Sequence, residues 1–83
     1  METFIYVIKS LTYDNRYVGV TENIERRLLE HNSGKCRYTK GRIPWKVIYT
    51  EKYSSLGEAR KREIFLKSGQ GRKYLNSIFV YNY

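Results

Sequence analysis

Apolar positions cluster near the start of the chain in a way that predicts two paired β-strands. The segment 4–8, Phe-Ile-Tyr-Val-Ile, is apolar throughout and rich in β-branched residues, which is typical of a strand buried on both faces. Turn-forming residues occupy positions 12–15, and a second strand pattern follows over residues 16–20. We therefore expect an antiparallel hairpin with Tyr6 on one strand and Tyr17 on the other.

The spacing of apolar residues then changes to that of an amphipathic helix. Thr21 is a suitable N-cap, and we expect the helix to run to about His31. It should end at Asn32-Ser33-Gly34, where glycine can adopt the left-handed cap conformation. Arg27 borders the inward stripe of this helix. That stripe consists of Ile24, Leu28 and His31.

The second half of the chain predicts one further strand and two further helices. Residues 35–42 form a basic loop, and residues 45–50 alternate as a third strand. Ser55-Leu56-Gly57-Glu58 matches a capping box, so a long helix should follow and reach about Lys67. A short last helix is expected over residues 72–77.

Together these elements predict a small α/β (α+β) sandwich with the order β-β-α-β-α-α. Helices should flank a three-stranded antiparallel or mixed sheet. A chain of 83 residues has no room for a second core, so residues 1–83 should form a single domain. The aromatic tail over residues 78–83 either adds a strand or packs against a partner, and its pattern favours neither.

The net charge of the chain narrows the class of molecule that it is expected to bind. The formal net charge is +8, from 16 lysines and arginines against 8 acidic residues. Such an excess favours a polyanionic partner, with solubility alone as the alternative explanation. The basic loop is the expected contact surface for a nucleic-acid backbone. Its candidate nucleic-acid-binding residues are Lys35, Arg37, Tyr38, Lys40 and Arg42.

Cysteine content and hydropathy exclude several other classes. Cys36 is the only cysteine, which excludes an internal disulfide and a cysteine-based zinc cluster. No apolar run approaches the roughly 20 residues that span a bilayer. The first residues lack the basic and apolar regions of a secretory signal. We therefore expect a cytoplasmic protein with no membrane partner.

One acidic residue occupies a position where an apolar side chain is expected. The inward stripe of the second long helix consists of Leu56, Ala59, Glu63 and Leu66. A buried carboxylate such as that of Glu63 is costly unless it is paired or bound to a metal. Arg60 and Lys67 are within reach of a salt bridge. One carboxylate with waters and a phosphate oxygen can equally hold Mg²⁺, so both interpretations stay open.

Two pairs of side chains suit phosphodiester chemistry. Arg27 and His31 adjoin on one helical face, where arginine can bind phosphate and histidine can transfer a proton. A histidine at a helix end can equally act as a cap that interacts with the helix dipole. Tyr6 and Tyr17 fit ordinary sheet packing, but a phenol beside a metal or an arginine can act as a base.

These residues together resemble the signatures of the GIY-YIG endonuclease family. Phe4-Ile5-Tyr6 is similar to the first signature and Tyr17-Val18-Gly19 to the second. The family's helix pattern is matched by Thr21, Ile24, Arg27 and His31. Compact stand-alone members also share His31-Asn32-Ser33-Gly34, Tyr38-Thr39, Pro44 and Glu58-Ala59-x-x-Arg62-Glu63-x-x-x-Lys67. The resemblance covers residues 3–76 and extends to the nuclease domain of the bacterial nucleotide-excision-repair incision subunit.

The resemblance implies a role for each candidate catalytic residue. Glu63 would bind a single divalent metal, Mg²⁺ or Mn²⁺, and Arg27 would contact the scissile phosphate. Tyr6, with Tyr17 as the rival, would act as general base or position the attacking water. His31 would assist proton transfer.

Some positions depart from the family pattern. Phe4 stands where the signature glycine usually sits, and Val20 replaces a lysine of the DNA-repair members, whose role therefore does not transfer. Asn76 is the match for an asparagine that some members place after the glutamate. Larger members carry separate domains for target choice, so a protein partner is expected to supply specificity here.

The sequence therefore predicts a divalent-metal-dependent endonuclease that hydrolyses phosphodiester bonds in DNA, in repair or recombination. The alternative is a catalytically inactive nucleic-acid-binding module. A third interpretation is a protein-interaction domain that uses the aromatic tail. Duplex, flap, junction and RNA substrates all stay open.

Overall fold

The computed structural model describes residues 2–79 and has its elements in the predicted order. The strands are β1 (Thr3–Ser10), β2 (Arg16–Thr21) and β3 (Trp45–Tyr53), and the helices are α1 (Ile24–Asn32), α2 (Leu56–Lys67) and α3 (Gly69–Phe79). A short 3₁₀ turn, Lys40–Arg42, interrupts the loop between α1 and β3. The predicted α+β fold with the order β-β-α-β-α-α is confirmed.

The strand β1 lies in the centre of the sheet, between β2 and β3. Both neighbours run antiparallel to it, so the sheet is antiparallel and not mixed. Its central place explains the apolar run from Ile5 to Ile8, because both faces of β1 are covered. No residue of that run is more than 2% exposed. The hairpin register pairs Tyr6 with Gly19.

The two faces of the sheet pack against different helices. The face that carries Ile5 and Val7 packs against α2 and α3, and its core also contains Leu66, Leu75 and Phe79. The face that carries Tyr6 and Ile8 packs against α1, and its core is completed by Trp45, Ile24 and Leu28. We call these the α2–α3 face and the α1 face. The residues nominated for chemistry lie on the α1 face, except for Glu63, which belongs to α2.

The start of α1 differs from the prediction, and its end agrees with it. The N-cap is Asn23, whose side chain accepts a hydrogen bond from Arg26 N at 3.0 Å. Thr21 instead ends β2, and its hydroxyl accepts a hydrogen bond from Asn23 N. At the other end Ser33 is the C-cap, and Gly34 follows with a φ of +83°, the left-handed conformation expected of glycine there.

The helix α3 is longer than predicted at both ends. It starts at Gly69 instead of Arg72, because Ser68 accepts hydrogen bonds from Gly71 N through its side chain (3.2 Å) and from Arg72 N through its carbonyl (2.9 Å). It continues to Phe79, so the first two residues of the expected tail belong to a helix. The rest of that tail lies outside the described residues. None of the helices that the structure describes is long and apolar enough to cross a membrane.

Candidate active site

Tyr6 is the centre of a buried polar network on the α1 face. The residue is only 2% exposed. Its hydroxyl lies 2.8 Å from His31 Nε2 and accepts a hydrogen bond from Arg27 Nε at 3.3 Å. The arginine and the histidine can reach it together because they are four residues apart on one helical face. One phenol therefore contacts both α1 side chains that the sequence nominated.

Gly19 makes room for the Tyr6 ring. It lies opposite Tyr6 in the β1–β2 pair, and a Cβ atom on Gly19 would lie 2.5 Å from the tyrosine Cζ. Any larger residue would have to displace the ring, since real contacts are never so short. The glycine two positions after Tyr17 is therefore a steric requirement of the site.

His31 is fully buried at the end of α1 and is held from several sides. Its Nδ1 lies 2.8 Å from Thr39 Oγ1, and the Tyr17 ring packs against it edge-on with centroids 5.1 Å apart. Thr39 is fixed in turn, because its carbonyl accepts a hydrogen bond from Trp45 Nε1 at 2.9 Å. The His31 side chain thus bonds to other side chains and does not cap its helix. We call Tyr6, Arg27, His31 and Thr39 the site network.

Burial favours the neutral forms of the Tyr6 phenol and the His31 imidazole. It raises the pKa of Tyr6 to about 12, and the hydrogen bond from Arg27 opposes this only in part. Burial also lowers the pKa of His31 below its ordinary value of 6.5, and the charge of Arg27 adds to the effect. A neutral imidazole can accept a proton, and a guanidinium beside a phenol favours release of one.

Arg27 is oriented by an acidic neighbour that was not among the candidate site residues predicted from the sequence. Glu30 Oε1 accepts a hydrogen bond from Arg27 Nη1 at 2.9 Å, which lowers the pKa of the Glu30 carboxyl. The two side chains are 35% and 33% exposed, so the pair adds little to stability. Its effect is to hold the guanidinium while Nε donates to Tyr6.

Glu63 lies apart from the site network. Its side chain is 15% exposed, and Oε2 accepts a hydrogen bond from Lys67 Nζ at 3.0 Å, with Arg60 Nη1 3.8 Å from Oε1. Within the described chain, no hydrogen bond or ion pair joins Glu63 to the site network. Lys67 connects Glu63 only to Tyr17, the ring that packs against His31, because its ammonium lies 5.8 Å from the Tyr17 ring centroid. The expected inward stripe is only partly formed, since Leu56 is 50% exposed.

A groove of about 430 Å³ opens beside Tyr17, with cations from three parts of the chain along it. Those cations are Arg16, Arg42 and Lys67. Two of the predicted nucleic-acid-binding residues, Tyr38 and Arg42, line the groove, and Tyr38 is 83% exposed. The others, Lys35, Arg37 and Lys40, are exposed on the same loop but lie outside the groove. Such a groove suits a polyanionic strand.

A known domain matches nearly the whole chain. The GIY-YIG catalytic domain matches residues 2–76. The chain belongs to the GIY-YIG family. Membership implies nuclease activity and a nucleic-acid substrate, and GIY-YIG nucleases generally use divalent metals. The resemblance seen in the sequence is therefore confirmed.

The GIY-YIG relatives include small UPF0213 proteins. This chain is 47% identical over 81 residues to a UPF0213 protein of Listeria welshimeri, covering 95% of this chain and 87% of that protein. It is 37% identical over 76 residues to one of Staphylococcus haemolyticus, covering 90% and 92%. It is also similar to the solution NMR structure of a UPF0213 protein from Bacillus halodurans, with a TM-score of 0.57, 31% identity and coverage of 94% and 85%. The chain thus aligns with most of the length of each relative.

Asn76, the match for the asparagine that some GIY-YIG members place after the glutamate, contacts Arg16. Asn76 lies on α3 and accepts a hydrogen bond from Arg16 Nη2 at 2.7 Å. The Arg16 guanidinium also lies 5.5 Å from the Phe79 ring centroid. Asn76 therefore joins β2 to α3, and its described contacts do not include Glu63.

Three residues that support the site were given no role in it from the sequence, although two of them, Thr39 and Lys67, fall within the family patterns. Glu30 could have been found from its spacing to Arg27, since residues three apart adjoin on a helix. Lys67 was found as a partner of Glu63, but its approach to Tyr17 depends on how α2 packs beside β2. Thr39 belongs to the Tyr38-Thr39 pattern, but that pattern does not reveal its contact with His31, which forms only after the loop folds back.

Proposed function

We propose that this GIY-YIG protein is a divalent-metal-dependent endonuclease that hydrolyses phosphodiester bonds in DNA. The observation that carries the proposal is the Tyr6 hydroxyl, which lies 2.8 Å from His31 Nε2 and 3.3 Å from Arg27 Nε. A phenol, a proton acceptor and a phosphate-binding cation are groups that suit attack by water on a phosphodiester. The adjoining cationic groove supports a nucleic-acid strand as the substrate.

Two phenols compete for the role of general base. Tyr17 lines the groove and is the more exposed, whereas the Tyr6 hydroxyl has a proton acceptor, His31 Nε2. We assign the base to Tyr6, which takes a proton from the attacking water as its own proton passes to His31. The water oxygen bonds to phosphorus, and the bond from phosphorus to the leaving oxygen breaks. The leaving oxygen takes a proton from solvent, and Tyr17 orients the water.

Arg27 stabilises the negative charge that develops on the phosphate. Two of its N–H groups donate to Tyr6 and Glu30. A guanidinium has about five N–H donors, so others can bind phosphate oxygens. Loss of one such preorganised donor typically costs about 10²–10³ in rate.

Glu63 is the residue that would hold the metal ion. The Lys67 ammonium lies 3.0 Å from its carboxylate, which supports a position suited to positive charge. One carboxylate with waters and a phosphate oxygen is a usual Mg²⁺ site. In residues 2–79 no group of three histidine, cysteine or acidic side chains offers an alternative. Mg²⁺ or Mn²⁺ bound at Glu63 would polarise the phosphate and stabilise the leaving oxygen.

DNA is the proposed substrate because of the loop and the family resemblance together. The exposed cations Lys35, Arg37 and Lys40 support contact with a phosphate backbone. The similarity to a DNA-repair nuclease domain supports DNA in particular, with repair or recombination as the setting. A cytoplasmic location, a protein partner for target choice and a single domain over residues 1–83 stay predictions.

A substrate panel tests the proposal. Wild-type protein is incubated with plasmid, single-stranded, branched and RNA substrates in Mg²⁺ or Mn²⁺, with EDTA as the control. We expect cleavage of at least one DNA substrate, and we expect it to stop when the metal is removed. Intact DNA throughout, or cleavage that continues in EDTA, contradicts the proposal.

The ion pairs of Glu63 favour one alternative, a nucleic-acid-binding module without activity, because a carboxylate held by Lys67 and Arg60 can be purely structural. Glu63→Gln separates the two. In a nuclease it lowers cleavage at least about 10²-fold, since a bound metal contributes several kcal/mol. The Kd for DNA in Ca²⁺ should change less than about threefold, because the loop supplies most phosphate contacts. Glu58→Gln, exposed on the same helix, is the matched control.

A further inference from the structure

We infer that Thr39 is a positioning residue that holds His31 in the tautomer able to take the proton of Tyr6. The kinetic consequence of this inference rests on the proposed nuclease function. Its structural part, the tautomer, can be measured without any substrate. The experiment below therefore tests the two separately.

Thr39 is fixed in a way that leaves its hydroxyl little freedom. The residue is 1% exposed, and its hydroxyl lies between His31 Nδ1 at 2.8 Å and the Cys36 carbonyl at 3.4 Å. Its backbone is held on both sides: the N–H donates to the Cys36 carbonyl at 3.2 Å, and the carbonyl accepts from Trp45 Nε1 at 2.9 Å. The hydroxyl is therefore presented to the imidazole by the loop itself.

The hydrogens of the site network have one arrangement in which each finds an acceptor. A guanidinium only donates, so Tyr6 Oη accepts from Arg27 Nε. If the Thr39 hydroxyl donates to the Cys36 carbonyl, it accepts from Nδ1–H of His31. The Nε2 atom is then unprotonated and accepts the hydroxyl hydrogen of Tyr6. In this arrangement each group donates to the next, from Arg27 Nε at one end to the Cys36 carbonyl at the other.

The opposite tautomer leaves one hydrogen without an acceptor. With Nε2 protonated, both His31 and Arg27 would donate to Tyr6 Oη. Among the residues that the structure describes, the Tyr6 hydroxyl hydrogen would then have no acceptor. Tyr6 is only 2% exposed, and an unpaired buried donor is disfavoured. The geometry thus favours the tautomer with hydrogen on Nδ1.

The tautomer decides whether the proton can move. With hydrogen on Nδ1, Nε2 presents a lone pair to the Tyr6 hydroxyl and can receive its proton while Nδ1–H still donates to Thr39. With hydrogen on Nε2, that atom can accept nothing, although the heavy atoms stay in place. Thr39 would therefore act on the reaction through His31 without touching the substrate.

The direct test reads the ring nitrogens of His31. It is the only histidine of the chain, so a long-range ¹H–¹⁵N spectrum of labelled protein above neutral pH assigns its tautomer without ambiguity. We expect protonated Nδ1 and unprotonated Nε2 in the wild type and in Thr39→Ser. In Thr39→Val either tautomer leaves one buried donor unpaired, Nδ1–H in one and the Tyr6 hydroxyl in the other, so we expect a mixture of the two. A wild-type ring protonated on Nε2, or an unchanged tautomer in Thr39→Val, overturns the inference.

The kinetic test compares kcat with KM. Thr39→Val should lower kcat by about 10- to 10²-fold with KM changed less than about threefold, because part of the protein has the wrong tautomer and the imidazolium formed on proton uptake loses the acceptor of its Nδ1–H. Thr39→Ser should restore most of the rate. Thr3→Val, a buried threonine on β1 away from the site network, is the matched control and should alter neither the spectrum nor kcat. A Thr39→Val protein that raises KM alone, or that Thr39→Ser does not rescue, contradicts a positioning role.

The outcomes separate this inference from the proposed function. The expected tautomer in a wild-type protein that cuts no DNA refutes the nuclease proposal and leaves the assignment of Thr39 standing. Metal-dependent cleavage by a wild-type protein whose His31 carries its hydrogen on Nε2 supports the nuclease proposal and refutes the assignment of Thr39. If Thr39→Val does not fold, the spectra of the wild type and of Thr39→Ser still decide the question.

Discussion

Two polar networks, one on each face of the sheet, combine arginine and tyrosine in different ways. On the α2–α3 face, Arg62 Nε and Nη2 donate to both carboxylate oxygens of Glu51 at 3.0–3.2 Å. The hydroxyls of Tyr49 and Tyr53 donate to the same carboxylate. We call these four residues the Glu51 cluster. On the α1 face, by contrast, Arg27 reaches the Tyr6 phenol with a single donor at 3.3 Å.

The difference shows how similar side chains can be structural in one place and suited to chemistry in another. In the Glu51 cluster the charges compensate each other, and Arg62 also lies over the rings of Phe65 (4.9 Å) and Tyr74 (5.0 Å). Burial raises the pKa of Glu51, but hydrogen bonds from Arg62 and the tyrosines outweigh it and lower the pKa overall. The site network instead has the neutral Tyr6 phenol at its centre. Its cation, Arg27, has further N–H donors, and the network lies beside a groove.

The largest expected effect comes from removing one hydroxyl of the site network. Tyr6→Phe removes the proposed base, so single-turnover cleavage of DNA should fall about 10²–10⁴-fold. The free energy of unfolding in urea should fall by about 1–2 kcal/mol, because the two hydrogen bonds of the Tyr6 hydroxyl are lost. Tyr17→Phe is the matched variant, and a greater loss of rate in Tyr17→Phe would transfer the role of base to Tyr17.

The reverse pattern is expected in the Glu51 cluster. Glu51→Gln keeps the shape of the side chain and removes its charge, so the free energy of unfolding should fall by about 2 kcal/mol. Cleavage by the folded protein should stay within about threefold of the wild type, because the site network does not include this residue. A loss of rate as large as that of Tyr6→Phe would show that the two faces do not have separate roles.

The hairpin and the face of α1 were predictable from the sequence. The choice between two possible N-caps of α1 was not. Alternation placed Tyr6 and Tyr17 on a hairpin, and helical spacing placed Arg27 beside His31. Thr21 and Asn23 are both good N-caps. The choice between them depends on β2, which keeps Thr21 paired with Phe4 and leaves the cap to Asn23.

The candidate site was predictable only where contacts are local or a family pattern exists. The inward position of Glu63 and its two salt-bridge partners follow from helical spacing, and the structure has those partners. The contact of Thr39 with His31 depends on the loop between α1 and β3, whose path is set by Trp45 and the Cys36 carbonyl. Such long-range packing leaves no periodic signal in a single sequence.

The two networks should also lose their contributions to stability in different pH ranges, which is a smaller effect. In the folded protein the pKa of His31 lies below 6.5 and that of Glu51 below 4.5. The unfolded chain therefore binds each proton more readily, so each contribution is fully present above the unfolded pKa and is lost as pH falls through the folded one. The His31 contribution should decline below about pH 6.5 and the Glu51 contribution below about pH 4.5.

The melting temperature as a function of pH checks this separation. His31→Asn should flatten the decline at the higher pH, and Glu51→Gln should flatten the decline at the lower pH. A His31→Asn curve that runs parallel to the wild type through the higher window would contradict the neutral, buried state of the histidine.

The smallest expected effect concerns Lys67, the cation now paired with Glu63. Removing a competing cation should strengthen metal binding, and a partly exposed pair is worth up to about 1 kcal/mol. Lys67→Met should therefore bind Mn²⁺ up to about fivefold more tightly, as measured by the electron paramagnetic resonance signal of free Mn²⁺. Lys61→Met, exposed on the same helix, is the control. Unchanged or weaker Mn²⁺ binding in Lys67→Met would contradict the proposal that the metal ion binds Glu63 where the Lys67 ammonium now lies.

A titration with Mn²⁺ followed by NMR tests most directly whether Glu63, Tyr17 and the site network belong to one metal-dependent site. Lys67 links Glu63 to Tyr17 in the structure, 3.0 Å from Glu63 Oε2 and 5.8 Å from the Tyr17 ring centroid. We predict that substoichiometric Mn²⁺ broadens the ring signals of Tyr17 and His31 in the wild type and leaves them sharp in Glu63→Gln. Equal broadening in both proteins, or broadening confined to other parts of the molecule, would contradict the account.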